Sequence, residues 1–323
     1  MQGKITSEHS AAGPVYVGID VCKERLEVSV HPTGRRWSLA NSGDGLARLQ
    51  RNLAALEVAL VVMEATGKYH RPAQRRLTQA GLPVAVVNPL RARLFAEAIG
   101  AIAKTDRIDA RMLALMGAAL DPPARPPAPR EIEALQELVR ARRAAVAELT
   151  RLKNRHGAAQ TPFLRAELSR QISNLERSIA RLNGEIERRI DAEPALARRR
   201  QILLSIPGIG PAGAAVLLAD RAELGALSPK AAAALAGLAP SARDSGNLSA
   251  QRHIKGGRKA VRNALYMAAM SAARANPDLK TFHQNLRDKG KKPKVAIVAV
   301  MRKLIILANT LIKDDRLWQP NQP

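Results

Sequence analysis

The sequence predicts a mixed α/β domain before residue 121 and an all-α region after residue 130. Three observations predict this division. Short runs rich in Val and Ile, typical of strands, alternate with turn and helix signals before residue 90. Five prolines within residues 121–129 exclude a helix there. The stretches beyond them are rich in Ala, Leu, Glu and Arg, which favours helices.

The order of elements in the first domain, residues 15–120, narrows its fold. Strands are expected at 15–20, 26–30, 35–40, 58–63 and 83–88, with helices from about 44 to 56, near 70–80 and onward to Leu120. Three strands followed by a helix, a strand, a helix and a strand is the order of the ribonuclease H-like fold. A flavodoxin-like sheet is the alternative, but it would need a helix between the first two strands.

Residues 131–197, after the proline-rich linker at 121–130, are predicted to form a coiled coil. Their apolar residues alternate at spacings of four and three, the pattern of a coiled-coil seam. The seam consists of Leu168, Ile172, Leu175, Ile179, Leu182 and Ile186, and the same phase runs through Ile132, Leu135, Val139, Val146 and Leu149. The two long helices pair either as a hairpin or between subunits. We favour a homodimer or higher homo-oligomer, because a narrow seam needs a partner.

The remaining chain is expected to form a small helical C-terminal domain at residues 198–316, with a disordered lead at 1–14 and a tail at 317–323. The glycine-rich segment 205–214 has the shape of a helix-hairpin-helix motif. Its glycines permit a tight turn and expose backbone N–H groups that can hold a phosphate. An ordinary glycine-rich connection is the alternative.

Composition indicates a polyanionic partner and excludes several classes of site. Lys and Arg number 52 against 28 Asp and Glu, a formal charge of +24, which favours DNA or RNA through phosphate neutralisation. Aromatic residues make up 2% of the chain, so extensive base stacking is not expected. The single Cys22 excludes an internal disulfide and a cysteine-cluster zinc site. No apolar stretch of membrane-spanning length and no signal-peptide pattern is found, so we expect a cytoplasmic protein with no membrane partner.

Four acidic residues lie where a two-metal nuclease would need them. Asp20 and Glu64 each end an apolar run, and Asp106 and Asp109 are spaced i, i+3, on one face of a helix. Hard divalent cations prefer such oxygen ligands, and phosphodiester chemistry commonly uses two of them. Taken singly, Asp20 could be a turn residue, and Asp106 or Asp109 a surface charge. A carboxylate directly after an apolar strand, as at Glu64, needs a partner or a metal if it is buried.

Basic residues concentrate in the last third of the chain. Residues 243–303 carry many Lys and Arg residues but only three acids, Asp244, Asp278 and Asp288. This pattern favours contact with phosphates, and a solvated basic face is the alternative. The candidate nucleic-acid-binding residues are Arg252, Lys255, Arg258, Lys259, Arg262, Lys289, Lys291 and Lys292.

Several motifs, in order along the chain, resemble those of the IS one-ten family of insertion-sequence transposases. The N-terminal DEDD motifs of that family resemble 17–20, 63–69 and 104–110. Its C-terminal transposase domain resembles 205–214, 236–240 followed by 244–246, and 253–258 with 261–265. The resemblance covers about residues 15–312.

The resemblance implies a RuvC-like domain, a linking coiled coil and a small domain with a serine nucleophile. It implies that Asp20, Glu64, Asp106 and Asp109 bind divalent metal, Mg²⁺ or Mn²⁺, and that Ser245 is the nucleophile. It also implies guidance by a structured bridge RNA that pairs with donor and target DNA, in a bacterial protein that is nucleoid-associated when acting. Ser241 and Ser249 are rival nucleophiles, and Ser245 could be a simple turn residue.

The sequence therefore predicts an RNA-guided DNA transposase or recombinase. Two alternatives stay open. One is a RuvC-like junction-resolving nuclease, in which water attacks the phosphate and Ser245 is structural. The other is a non-catalytic nucleic-acid-binding scaffold.

Overall fold

The computed structural model describes residues 13–100, 106–221, 223–241, 253–254 and 256–320. The chain divides into two compact units, Met1–Ala128 and Pro129–Pro323, and each is described by itself. Residues 1–12 of the predicted lead and residues 321–323 of the predicted tail lie outside the described residues.

The first unit is built on one mixed five-stranded sheet. Its elements are β1 (Val15–Val21), β2 (Arg25–His31), β3 (Arg36–Ala40), α1 (Gly43–Ala54), β4 (Val58–Glu64), α2 (Arg71–Gln79), β5 (Val84–Val87), α3 (Pro89–Ala98) and α4 (Asp106–Leu120). The strand order is β3-β2-β1-β4-β5, antiparallel among the first three strands and parallel from β1 to β5. This sheet confirms the predicted α/β domain and fits the ribonuclease H-like order. A hairpin joins β1 directly to β2, unlike in a flavodoxin-like sheet.

The two faces of the sheet follow from the alternation of side chains along each strand. Val17 and Ile19 of β1 and Val61 and Met63 of β4 enter one core, shared with Leu49 of α1 among others. Leu60 and Val62 of β4 face the other side, where they pack with Leu113 and Met116 of α4. The acidic ends of β1 and β4 belong to this second face, because Asp20 and Glu64 continue the alternation of Gly18 and Val62.

The helix α1 begins where the sequence places a cap. The Ser42 hydroxyl accepts a hydrogen bond from the backbone N–H of Gly45, which satisfies one of the free donors of the first turn. The preceding Asn41 has a different role. Its side-chain amide donates to the backbone carbonyls of Cys22 (2.9 Å) and Tyr69 (3.3 Å), which lie just after β1 and β4 respectively.

The second unit is mostly helical. Its elements are α5 (Arg130–Ala158), α6 (Pro162–Asp191), α7 (Pro194–Ser205), α8 (Pro211–Asp220), α9 (Pro229–Leu235), β6 (Pro240–Ser241), β7 (His253–Ile254), α10 (Lys259–Ala275), α11 (Pro277–Asp288) and α12 (Pro293–Lys313). Most of these helices have proline at their first or second position, where its fixed φ is favourable and its missing N–H costs nothing.

The helices α5 and α6 pack against each other within the chain. Only residues 159–161 connect them, and so short a connection makes α6 fold back along α5. Leu152, Ala159 and Leu168 are buried together near this turn, with Ile172 and Leu175 beside them. The hairpin alternative is therefore the one observed. Pairing between subunits, which the narrow seam favours, stays a prediction.

The helices α7 and α8 flank the glycine-rich turn. Gly208 has φ +110°, and a Cβ atom there would lie 2.5 Å from the Cβ of Ala272 in α10. Packing against α10 therefore accounts for this glycine, and a phosphate-binding role of the turn stays a prediction. Among the described residues, α12 is the one helix whose length and composition would suffice to cross a membrane. Half of its apolar window is buried inside the molecule, as in a core helix.

Candidate active site

Two of the four predicted metal-binding acids lie at neighbouring strand ends. β1 and β4 run parallel with Ile19 opposite Met63, so the next positions along the two strands are Asp20 and Glu64. Both are half-buried, and both belong to the face of the sheet that α4 covers. Parallel strands that end together bring such carboxylates to one edge of the sheet.

The helix α4 approaches this edge more closely than a side chain would permit. A Cβ atom on Gly18 would lie 2.0 Å from the carbonyl oxygen of Ala110 and 2.3 Å from the backbone nitrogen of Ala114. The absence of a side chain at Gly18 thus lets the helix backbone rest on β1. Asp109 directly precedes Ala110, and Asp20 lies two residues beyond Gly18 on the same face.

The predicted quartet is therefore brought together only in part. Asp109 is half-buried on α4, and Asp106 is the first residue of that helix, but its side chain lies outside the described residues. Asp20, Glu64 and Asp109 each take part in at least one polar or electrostatic interaction. Within the part of the chain that the structure describes, no group of three or more His, Cys, Asp or Glu side chains is placed to hold a metal ion. The chemistry of the donor set nevertheless fits a divalent cation, because carboxylate oxygens are its preferred ligands.

Sequence reasoning missed a further carboxylate at this edge, Glu27 of β2. Glu27 lies directly opposite Asp20 in the antiparallel register, so the two side chains share a face. Its side chain is 14% exposed and accepts a hydrogen bond from the Ser38 hydroxyl at 2.6 Å. Glu27 also lines a cleft of about 300 Å³ together with Ser38 and with Ala110 of α4. The signal was the strand pairing, because a β-hairpin places opposite residues together whatever their separation in sequence.

The predicted nucleophile lies outside the described residues. Ser245, the rival Ser249 and the candidate phosphate-binding residues Arg252 and Lys255 fall within 242–252 and 255. The rival Ser241 is described through its backbone, which belongs to β6. The segment 242–252 joins β6 to β7, and these strands pair with Pro240 opposite Ile254.

The backbone on either side of the paired strands β6 and β7 is in close contact, at Gly237 before β6 and at Gly256 and Gly257 after β7. A Cβ atom on Gly257 would lie 2.3 Å from the backbone nitrogen of Gly237, and one on Gly237 would lie 2.2 Å from the carbonyl oxygen of Gly256. Both Gly237 and Gly257 have positive φ, at +69°. The guanidinium of Arg262 donates to the same Gly256 carbonyl. The two ends of the connection that contains Ser245 are therefore held together by backbone packing.

Comparison with known proteins identifies the family. Residues 17–159 match the DEDD family model described as "Transposase", and residues 200–284 match the model described as "Transposase IS116/IS110/IS902 family". A pilin gene-inverting protein of Moraxella bovis is 30% identical over 312 residues, 93% of this chain and 96% of that protein. The chain belongs to the IS110 family of transposases. A 42 kDa protein of the insertion element IS900 from Mycobacterium paratuberculosis is 30% identical over 159 residues, 48% of this chain and 39% of that protein.

Membership of the IS110 family confirms the predicted resemblance and makes the chain a DNA strand-transfer enzyme. Its DEDD-type N-terminal domain indicates dependence on a divalent metal. The family also implies that DNA is the substrate.

The structure separates the described basic residues of this transposase into two groups. Lys259, Lys289, Lys291 and Lys292 are exposed. Arg258 and Arg262 have contacts within the protein, because their guanidinium groups donate to the carbonyls of Asp220 and Gly256 respectively. Toward the other described residues, these four lysines make no side-chain hydrogen bond that contact with a phosphate would break, whereas the two arginines also stabilise the unit.

Proposed function

We propose that this IS110-family transposase cuts and rejoins DNA through Ser245, assisted by divalent metal held by Asp20, Glu64, Asp106 and Asp109. The observation that supports the metal site best is the placement of Asp20 and Glu64 in register beneath α4. Magnesium is the metal we propose, with manganese as a substitute, because both accept carboxylate oxygens.

The four acids have the task of binding and orientation. Strand pairing places Asp20 and Glu64 side by side, and the helix that covers the same face of the sheet, α4, begins at Asp106 and carries the half-buried Asp109. Carboxylates gathered at one site repel one another, so a cation is needed to hold the four proposed ligands together. A bound divalent ion would supply Lewis-acid polarisation of the scissile phosphate and neutralise charge on it.

Ser245 provides the covalent step of the proposal. Its Oγ attacks the phosphorus, an Oγ–P bond forms, the bond from phosphorus to one deoxyribose oxygen breaks, and that oxygen leaves as a hydroxyl with the proton that serine loses. The number of phosphoester bonds is conserved, so a hydroxyl of a second strand can attack the phosphoserine and restore a DNA backbone. Strands are therefore exchanged without an external energy source.

We further propose that a structured RNA supplies sequence recognition. The charge of +24 and the aromatic content of 2% suit a protein that contacts backbones and leaves base reading to pairing. The relative from Moraxella bovis is named for inverting a pilin gene, which is a cut-and-rejoin reaction on DNA. That relative supports recombination chemistry more than hydrolysis.

The test is a denaturing gel of labelled DNA after reaction in magnesium. We expect a protein–DNA adduct from the wild type that is absent from Ser245→Ala, whereas the matched variants Ser241→Ala and Ser249→Ala retain it. Hydrolysed ends without an adduct would support the junction-resolving nuclease instead. A nucleotide found by mass spectrometry on a residue other than Ser245 would overturn the serine assignment.

The metal site has its own test. Asp20→Asn and Glu64→Gln should abolish cleavage while nucleic-acid binding persists, because each removes a ligand charge without changing shape. Glu57→Gln is the control, since Glu57 is an exposed acid just before β4. Cleavage at the wild-type rate by Asp20→Asn would refute the metal assignment, and unchanged biological activity would point to the scaffold.

We also propose that the chain self-associates through the α5–α6 hairpin. Leu175 and Ile179 remain half-buried after α5 and α6 have paired, so apolar surface is left for a second copy. Replacing both with Asp should reduce the molar mass measured by light scattering. The same mass for the folded double variant and the wild type would exclude the hairpin as the main interface.

A further inference from the structure

The end of α8 contains a buried charge that the fold does not fully satisfy. The Arg221 side chain is 2% exposed. Its Nε and Nη2 atoms have no hydrogen-bond partner among the described residues. Guanidinium groups taken out of water without partners cost free energy. A fold that keeps such a group at this position needs a reason for it.

A single carboxylate oxygen is shared between Arg221 and a second arginine. Oε1 of Glu223 lies 3.6 Å from Nη1 of Arg221 and 3.6 Å from Nη1 of Arg258. Both distances exceed the usual limit of about 3.2 Å for an N–H···O hydrogen bond. Neither guanidinium therefore has the tight two-pronged pairing with a carboxylate that neutralises arginine best, although Nη1 of Arg258 also donates to the carbonyl of Asp220.

Around Glu223 the described arginines outnumber the described acids. A third arginine, Arg199 of α7, donates to the carbonyl of Leu224 and lies in the field of Glu223. Burial lowers the pKa of Arg221, and the nearby Arg258 lowers it further. Burial also lowers the pKa of Arg199. Asp220 and Glu223 are the acids named against these arginines within the part of the chain that the structure describes, so two described acids face three arginines.

We propose that Arg258 binds a backbone phosphate of DNA, and that the buried Arg221 keeps Arg258 available by competing with it for Glu223. The Arg258 side chain is 52% exposed and that of Glu223 is 29% exposed, so an anion can reach the outer side of the pair. Arg221 stays beneath them. The planar guanidinium of Arg258 matches phosphate geometry, and the phosphate provides the negative charge that the cluster lacks.

A competing Arg221 and a purely structural Arg221 predict opposite effects of its removal on phosphate binding and on the stability of the fold. If Arg221 acts by competition, removing it lets Glu223 close on Arg258, and phosphate binding weakens. Removing a buried charge with unpaired N–H groups should at the same time leave the fold as stable or more stable. A structural arginine would behave in the opposite way, since its removal would destabilise the fold and leave the affinity of the folded protein unchanged.

The experiment measures equilibrium binding of labelled duplex DNA in the presence of a chelator, over a range of NaCl concentrations, with the full chain. For Arg258→Met we expect affinity to fall by about tenfold and the log–log salt slope to decrease by about 0.9. For Arg221→Met we expect a fall in the same direction, by about threefold, with an unchanged or higher melting temperature. For Glu223→Gln we expect tighter DNA binding and a lower melting temperature.

Arg200→Met is the matched control, because Arg200 is a partly buried arginine of the same unit that pairs with Asp191 at 2.6 Å. It should not change the salt slope. A lower melting temperature for Arg221→Met with DNA affinity unchanged would overturn the proposal, as would weaker DNA binding by Glu223→Gln.

Inorganic phosphate is the second probe, because a free phosphate ion could make the same contacts with Arg258 as a phosphate of DNA. If these variants lose inorganic phosphate binding but keep their DNA affinity, the site takes a free anion and the assignment to DNA is wrong. The proposal rests on the proposed function only for the identity of the phosphate source. Because the chelator prevents cleavage, absence of a serine–DNA adduct would leave these binding results intact.

Discussion

At the scale of single residues, Gly18 determines how closely α4 approaches the acidic edge. The atoms that a Cβ would meet are backbone atoms of Ala110 and Ala114, which cannot move away as a flexible side chain can. The helix that presents Asp106 and Asp109 must therefore shift as a whole if residue 18 acquires a side chain.

We expect Gly18→Ala to destabilise the first unit by about 1–3 kcal/mol and to reduce cleavage more than DNA binding, because overpacking moves α4 away from β1. Urea denaturation and the cleavage assay measure the two effects. Gly43→Ala is the control, since a Cβ at Gly43 meets no atom within 4 Å and its φ is not positive. If both variants have the same stability and the same cleavage rate, α4 can move away from β1 at no cost in free energy.

Glu27 is a second single residue that affects the acidic edge of the sheet. A carboxylate directly opposite Asp20 raises the negative potential where a cation would bind, and like charges placed opposite one another are unfavourable without one. Only one oxygen of Glu27 accepts the Ser38 hydroxyl.

We expect Glu27→Gln to weaken Mn²⁺ binding by about three- to tenfold, because it removes a negative charge beside Asp20 and keeps the shape of the side chain. Isothermal titration with Mn²⁺ measures this without relying on activity. Glu57→Gln, at the far end of β4, should bind Mn²⁺ like the wild type. An unchanged affinity for Glu27→Gln would show that Glu27 does not act on the metal.

At the scale of elements, local pattern predicted the strands well, because alternation and bounding turns are both written in adjacent residues. Seven of the ten strand ends differ from the expected position by one residue, and the other three agree with it. The acids at the ends of β1 and β4 were predictable for the same reason. Glu27 was not, since its relation to Asp20 exists only in the register of the paired strands.

The seam of α5 and α6 shows where periodicity is insufficient. Spacing identified the apolar face, and the second helix of the same chain covers part of it. Val146, placed in the seam by its phase, is 37% exposed, whereas Leu135 and Val139 are buried nearer the start of α5. There the Gln136 amide donates to the carbonyl of Ala219 in α8. Heptad phase does not reveal which neighbour an apolar face will meet.

We expect Leu168→Ala to destabilise the second unit by about 2–4 kcal/mol, because Leu168 is 1% exposed and packs with Leu152 and Ala159. Urea denaturation measures the change, provided that the slope with denaturant concentration is unchanged. Leu164→Ala in the same helix is the control, as Leu164 is 42% exposed. Similar losses for both variants would mean that the hairpin turn is not a buried core.

At the scale of the whole molecule, the charge of +24 makes any single basic residue hard to interpret. Each positive charge contributes to long-range attraction of nucleic acid, whether or not it touches a phosphate. A local contact is distinguished by the salt dependence, because only a direct contact releases the counterions held near that phosphate.

Lys289, Lys291 and Lys292 lie together at the exposed connection between α11 and α12. We expect their joint replacement by Gln to weaken binding of DNA or RNA of any sequence and to reduce the log–log salt slope by about one unit per lost contact. Titrations at several salt concentrations, with two unrelated sequences, measure both effects.

The control must match the net charge, since the triple variant falls from +24 to +21. Replacing Lys153, Lys230 and Lys313 by Gln gives the same net charge. These lysines lie in α5, α9 and α12 respectively, outside that connection, and Lys153 pairs with Glu176 of α6. Both variants should lose the same long-range attraction, and only the first should lose slope. If the two slopes fall equally, the connection between α11 and α12 is a solvated basic face. If affinity falls for one sequence and the slope is unchanged, these lysines read bases, and the proposed division of labour between the protein and a guide RNA would have to be revised.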